Sequence, residues 1–107
     1  MKGYQLVFFT QQNRRHGRTP MAEWLLEFAR QHGAFGGTLF NATEGFGQDG
    51  KFHSAHFFEL ADQPVGVTIV IDEDKGDALI AALEKEDIGV FFMKMSVEFC
   101  RLRQGAK

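Results

Sequence analysis

Gly45, Gly47 and Gly50 lie in the stretch Thr38 to Phe58, TLFNATEGFGQDGKFHSAHFF, and their type and spacing are the strongest hint of chemistry in the chain. Glycines permit positive φ and let successive backbone N–H groups converge on an anion. Their spacing also satisfies G-x-G-x-x-G. The dinucleotide-binding use of that pattern needs a helix opening at the last glycine inside a parallel βαβ unit. The kinase use needs a far longer chain with further motifs. Neither context is present. The glycines read either as the backbone of an anion site or as a turn that ends a strand.

Arg14, Arg15, His16 and Arg18 make a short basic cluster. Arginine gives bidentate contacts to phosphate or carboxylate; the plainer reading is a solvated loop. As a cluster it matters more, because this loop and the GFG turn could converge across a subunit boundary. His53 and His56 are spaced i, i+3. On a helix they could share a metal, joined by His16, Asp49 or Glu59. On an extended chain they would face opposite ways, and hydrogen-bonded loop histidines are the plainer reading. Glu44, Asp49, Glu59 and Asp62 show no spacing that marks a general acid–base pair. Cys100 has no placed His or Asn partner and reads as a small buried or semi-buried residue. Met93 and Met95 read as core or interface strand residues.

A chain of 107 residues is one domain, residues 1–107. A chain this size buries roughly 65% of its unfolded surface, enough to fold without disulfides or metal. Its 12 phenylalanines need buried places. The formal net charge of -2 gives no global basic field, so nucleic acid is not an expected partner. The single cysteine excludes an internal disulfide and agrees with a reducing compartment. The apolar run Leu6 to Phe9, with Tyr4 nearby, is too short for a signal peptide or a membrane span. A cytoplasmic protein is expected.

The elements that must position these residues follow in order. Tyr4 to Thr10 reads as a strand apolar on both faces, hence buried on both. Gln11 to Arg18 reads as a polar loop. Thr19 offers an N-cap hydroxyl, Pro20 a first helical position, and Met21 to His32 a helix closed by Gly33. Gly36 to Phe46 reads as a second strand and Gly47 to Gln63 as a long excursion, with an extended arm at His56 to Leu60. Pro64 opens a third strand over Val65 to Ile71. Asp72 or Asp74 caps a second helix over Lys75 to Asp87, broken by Gly89. Val90 to Met95 is a fourth strand, its alternation continuing through Val97 and Phe99.

The order β-α-β-β-α-β fits a ferredoxin-like α+β sandwich: an antiparallel four-stranded sheet, two helices on one face, and a long loop between strands two and three. The other face is bare in a monomer although three strands carry apolar residues on both sides. A patch of that size is rarely left exposed. A homo-oligomer whose sheets pack together is expected.

Thr43-Glu44-Gly45-Phe46-Gly47 followed by Gln48-Asp49-Gly50 resembles the glycine-rich entry to the T-loop of PII nitrogen-signalling proteins. Leu60 to Val65, LADQPV, resembles the return into their third strand, and Arg101 to Gly105, RLRQG, their basic RIRTG tail. The whole chain is more similar still to the PII-like domain-of-unknown-function 190 family, in its polar loop before Pro20, the GGT at Gly36 to Thr38, the GFG, a histidine soon after, and a Gln-Pro-Val strand start. The resemblance implies a homotrimer with small-molecule sites between subunits. Gly45 and Gly47 would be cleft backbone, with Gly50 beyond them; Arg101 and Arg103 would contact an anion. Two departures stand out. PII proteins carry a lysine in a GDGK loop before the fourth strand, where this chain reads Asp87-Ile88-Gly89-Val90. They also carry a T-loop tyrosine when uridylylated, whereas the single tyrosine here is Tyr4.

Three functions are weighed. The leading one is a non-enzymatic PII-like sensor. It would bind a small anion or adenine nucleotide between subunits at Gly45, Gly47, Gly50, Arg14, Arg15, Arg18, Arg101 and Arg103. The 47–63 loop would dock on a protein or membrane-transporter target. The second is a metal-binding trimer using His53 or His56. The third is a small enzyme, a dimeric α+β barrel with a phenylalanine-lined interior; no catalytic constellation supports it.

Overall fold

Val65, Val67, Ile69 and Ile71 alternate with Gly66, Thr68 and Val70, and this period of two builds the strand around which the fold assembles. In the computed structural model, which describes residues 1–42, 44–46, 52–54 and 63–105, the elements are β1 (Lys2–Gln11), β2 (Arg15–His16), β3 (Thr19–Pro20), α1 (Met21–Gln31), β4 (Gly36–Asn41), β5 (Glu44–Phe46), β6 (Phe52–Ser54), β7 (Pro64–Asp72), α2 (Glu73–Glu84) and β8 (Phe91–Glu98). The main sheet has the order β4-β7-β1-β8 with every pair antiparallel. This is the ferredoxin-like arrangement that the element order predicts.

One face of the sheet carries both helices. Tyr4, Leu6 and Phe8 of β1 and the odd-numbered residues of β7 pack with Met21, Ala22, Leu25 and Ala29 of α1 and Leu79 of α2. Leu6, Val67 and Ile71 are completely buried. Each such side chain contributes on the order of 1.5–3 kcal/mol relative to exposure. Asp72 begins α2 by accepting a hydrogen bond from the Lys75 N–H at 2.9 Å. Gly33, at φ +84°, ends α1 in the left-handed conformation that glycine adopts without strain. The Tyr4 hydroxyl donates to Asp77 Oδ1 at 2.9 Å, tying β1 to α2. That hydrogen bond, reinforced by desolvation and the negative charge of Asp77, pushes the phenol up to about 12.

The opposite face has no covering element among the described residues. Register places Phe40, Gly66, Phe9 and Phe91 in one row across all four strands. The Phe40 ring lies over Gly66, where any Cβ would collide with it. Thr38, Thr68, Val7 and Met93 form the next row. Phe9, Phe40, Phe91, Met93 and Met95 are all exposed, Phe91 by 69%.

Three local expectations change. Thr19 does not cap α1: Thr19–Pro20 pairs with Arg15–His16, Pro20 occupies the cap position without a side-chain bond, and the Met21 N–H donates to the Arg14 carbonyl instead. A long-range carbonyl replaces the local hydroxyl. The second strand leaves the sheet at Asn41 rather than at Phe46; beyond the Ala42 N–H, which donates to Pro64 O, Glu44–Phe46 pairs with Phe52–Ser54 as a separate ribbon. Cys100 is exposed rather than buried, because it lies past the end of β8. The expected arm at 56–60 lies outside the described residues.

Candidate functional site

The end of the sheet where β1 and β4 finish and β7 and β8 begin gathers Arg14, Arg15, Arg18, Gly45 and His53 of the expected site residues. Gln12 links loop one to both roots of the excursion. Its N–H donates to Gln63 O at 3.0 Å, and its Nε2 donates to Asn41 Oδ1 at 3.4 Å. A hollow of about 220 Å³ opens beside this neck, lined by Gln11, Gln12, Pro20, Ala22, Glu23 and Leu39, with Asn41 and Val65 behind. Small-molecule sites usually occupy ~300–1,000 Å³, so this hollow among the described residues is smaller than a nucleotide-sized ligand needs.

The basic cluster forms the β2–β3 hairpin, turned at Gly17 with φ +63°. Its members divide into two roles. Arg14 and His16 are fastened down: an Arg14 terminal N–H donates to Ile88 O at 2.6 Å, and His16 Nε2 sits 2.9 Å from Glu86 Oε1. The His16 ring also stacks on Trp24, with centroids 3.9 Å apart and planes within 9°. Trp24 stacks on Phe28, and Phe28 meets His32. Arg15 and Arg18 stay exposed. Arg15 donates to the Arg18 carbonyl at 3.1 Å, which orders the turn and leaves most of its donors outward. The cluster is therefore half clamp and half exposed cation. Sequence reasoning missed the clamp, Glu86 and Gln12 included. The i, i+4, i+8 spacing of Trp24, Phe28 and His32 is the one local signal that an aromatic edge faces loop one.

Gly45 lies on β5 directly opposite His53 on β6, so Gly45, Phe46 and the first candidate metal ligand share one ribbon. Gly47, Gly50 and His56 lie outside the described residues. Among the described residues no group of three or more His, Cys, Asp or Glu could hold a metal ion. Arg101 and Arg103 are exposed at the other end of the sheet. They follow Phe99, whose N–H donates to Met1 O while its own carbonyl accepts from the Met1 amino group at 2.7 Å. Within one chain they do not meet the glycine ribbon or the basic hairpin.

A second hollow among the described residues, of about 290 Å³, lies between the end of α2 and the start of β8, floored by Phe8 and Phe92 and flanked by Leu83, Ile88, Glu84 and Asp87. Among the described residues no helix is long and apolar enough to cross a membrane.

The model of the DUF190 family, described as Uncharacterized ACR, matches residues 3–95. A UPF0166 protein of Aquifex aeolicus is 32% identical over 71 residues, 65% of this chain and 68% of its own length. Among solved structures, a PII-like signalling protein of Thermus thermophilus aligns with TM-score 0.67 and 15% identity over 91% of this chain and 88% of its own. CPII of Thiomonas intermedia, a nitrogen regulatory PII-like protein bound to ADP, AMP and bicarbonate, aligns with TM-score 0.62 and 17% identity over 91% of this chain and 89% of its own.

Proposed function

The chain belongs to the DUF190 family, and from that premise we propose that it is a PII-like regulatory module, not an enzyme, that binds a small anionic ligand at clefts between copies of itself. An adenine nucleotide is the first candidate, since the similarly folded CPII is bound to ADP and AMP. The assembly is a cytoplasmic homotrimer in this reading. Gly45, Gly47 and Gly50 supply backbone donors. Arg15 and Arg18 supply free guanidinium groups, with Arg14 holding their hairpin in place. Arg101 and Arg103 arrive from a neighbouring copy. The excursion then docks on a protein or membrane-transporter target.

The observation that carries this reading is the double attachment of Gln12. Loop one is bonded to Asn41 and Gln63, one at each root of the excursion. An anion drawn to the hairpin therefore acts on a segment that also grips the neck. Ligand binding can favour one arrangement of the excursion only through such differential contact.

Calorimetry with ATP, ADP, AMP and cyclic AMP, each with and without bicarbonate, tests this. One nucleotide should bind with micromolar Kd and slow proteolysis between residues 47 and 63. Arg15→Ala combined with Arg18→Ala should weaken it about tenfold or more, as loss of charge-assisted hydrogen bonds worth ~1.5–3 kcal/mol implies. No binding of any of the four at millimolar concentration would overturn the reading. The metal-binding and barrel-enzyme alternatives gain no comparable observation.

A further inference from the structure

We propose that loop one, residues 12–20, is a latch joining the neck of the excursion to the turn between α2 and β8, so that release at either end loosens the other. Its contacts run both ways from one short stretch of backbone. At the neck, the Gln12 N–H donates to Gln63 O and its Nε2 donates to Asn41 Oδ1. At the turn, Arg14 donates to Ile88 O at 2.6 Å, and His16 Nε2 lies 2.9 Å from Glu86 Oε1. Gln12 and Arg14 are two residues apart, about 7 Å even when fully extended. The Arg14 N–H donates to Gln11 O, and its carbonyl accepts from the Met21 N–H. The backbone between the two grips is thus closed in a turn on one side and pinned to the start of α1 on the other. It has no slack to absorb a displacement.

The gripped turn depends on being held. Asp87, the one non-glycine residue at positive φ among the described residues, stands at +52°, and Gly89 at +60°. They alternate with the two gripped residues, Glu86 and Ile88. A non-glycine residue keeps a left-handed conformation only where its surroundings support it, and the hairpin gives that support from outside the turn. The hairpin itself seats on a ladder of rings. His16 stacks on Trp24 with centroids 3.9 Å apart, Trp24 stacks on Phe28, and Phe28 meets His32. Trp24, Phe28 and His32 follow one another at i, i+4 and i+8, so the helix sets the seat. His16 is then either seated, with both the stack and the Glu86 contact, or out, with neither. An element with two such arrangements, biased from two sites, couples those sites equally in both directions. The latch shares the Gln12 attachment with the preceding reading and needs neither its ligand nor its oligomer.

Amide hydrogen exchange and the emission of Trp24, the only tryptophan in the chain, test the latch. Gln12→Pro removes both neck bonds. It spares the turn closed by Gln11 and Arg14, because Gln12 is outside the left-handed region at the second turn position, where proline fits. This variant should speed exchange in residues 86–90 about fivefold or more and shift Trp24 emission to the red, toward that of His16→Ala. In turn, His16→Ala should speed exchange of the Ala42 N–H, which bonds to Pro64 O, by the same factor. Glu86→Ala, which removes a turn contact without altering loop one, should reproduce the effect on Ala42. Exchange at Leu6 and Val67, in the core, should keep its wild-type rate. Wild-type exchange in 86–90 for Gln12→Pro, or at Ala42 for His16→Ala, would overturn the coupling. So would a rise shared equally by Leu6 and Val67, which reports loss of the whole fold. No nucleotide enters these measurements. Coupled ends in a protein that binds no nucleotide would uphold the latch and overturn the ligand; nucleotide binding with uncoupled ends would do the reverse.

Discussion

The two faces of the sheet are built from the same strands yet stand in opposite conditions. On the helical face Leu6, Val67, Ile69 and Ile71 are sealed under α1 and α2. On the other, Phe40, Phe9 and Phe91 lie in a row beside Met93 and Met95, all exposed. A period of two apportions apolar residues between faces but says nothing about what covers them. The helices follow from local sequence. The cover of the second face does not, and another copy of the chain is the economical source.

Variants that strike one face only separate the two faces most clearly. Phe9→Asp with Phe91→Asp should remove the assembly, leaving a folded species of one 12.1 kDa chain by light scattering, because a buried unpaired carboxylate is not tolerated in a packed interface. An unchanged mass would mean that this face is not the contact. Leu25→Ala should do the converse: a loss of about 2–5 kcal/mol in urea unfolding, with subunit contacts retained at low denaturant. Gly66→Ala lies between the two. Its Cβ would enter the Phe40 ring, which must swing off the sheet, costing about 1–3 kcal/mol as overpacking does and weakening assembly in parallel. The smallest effect belongs to Tyr4, on the sealed face. Its folded-state pKa is raised to about 12, above the ordinary 10.0. The associated stability is therefore complete below pH 10 and lost as pH rises toward 12. Tyr4→Phe should flatten that alkaline fall in melting temperature; identical curves would mean that the Asp77 hydrogen bond contributes nothing.

Where a signal is local, the sequence is informative. Pro64 and the alternating valines mark β7, Asp72 marks the start of α2, and Gly33 marks the end of α1. Signals that depend on distant chain are not visible in this way. Thr19-Pro20 has every mark of a capped helix start, but the Arg14 carbonyl takes the Met21 N–H and Thr19 pairs with His16 instead. At the site, residue types are legible and their division of labour is not. Nothing in QQNRRHGR separates the clamped Arg14 and His16 from the exposed Arg15 and Arg18; the partners that decide it, Ile88 and Glu86, lie some 70 residues away. Likewise the similarity of Arg101 and Arg103 to a basic tail does not reveal that β8 delivers them to the end of the sheet remote from Gly45.

In the proposed assembly the second face is closed by further copies and the ligand enters between them. Light scattering on the wild-type protein, with and without ADP and bicarbonate, tests it most directly. The expected mass is that of three 12.1 kDa chains, present without ligand and stabilised against heat by the nucleotide. A single-chain mass at micromolar concentration, unchanged by ADP, would contradict it.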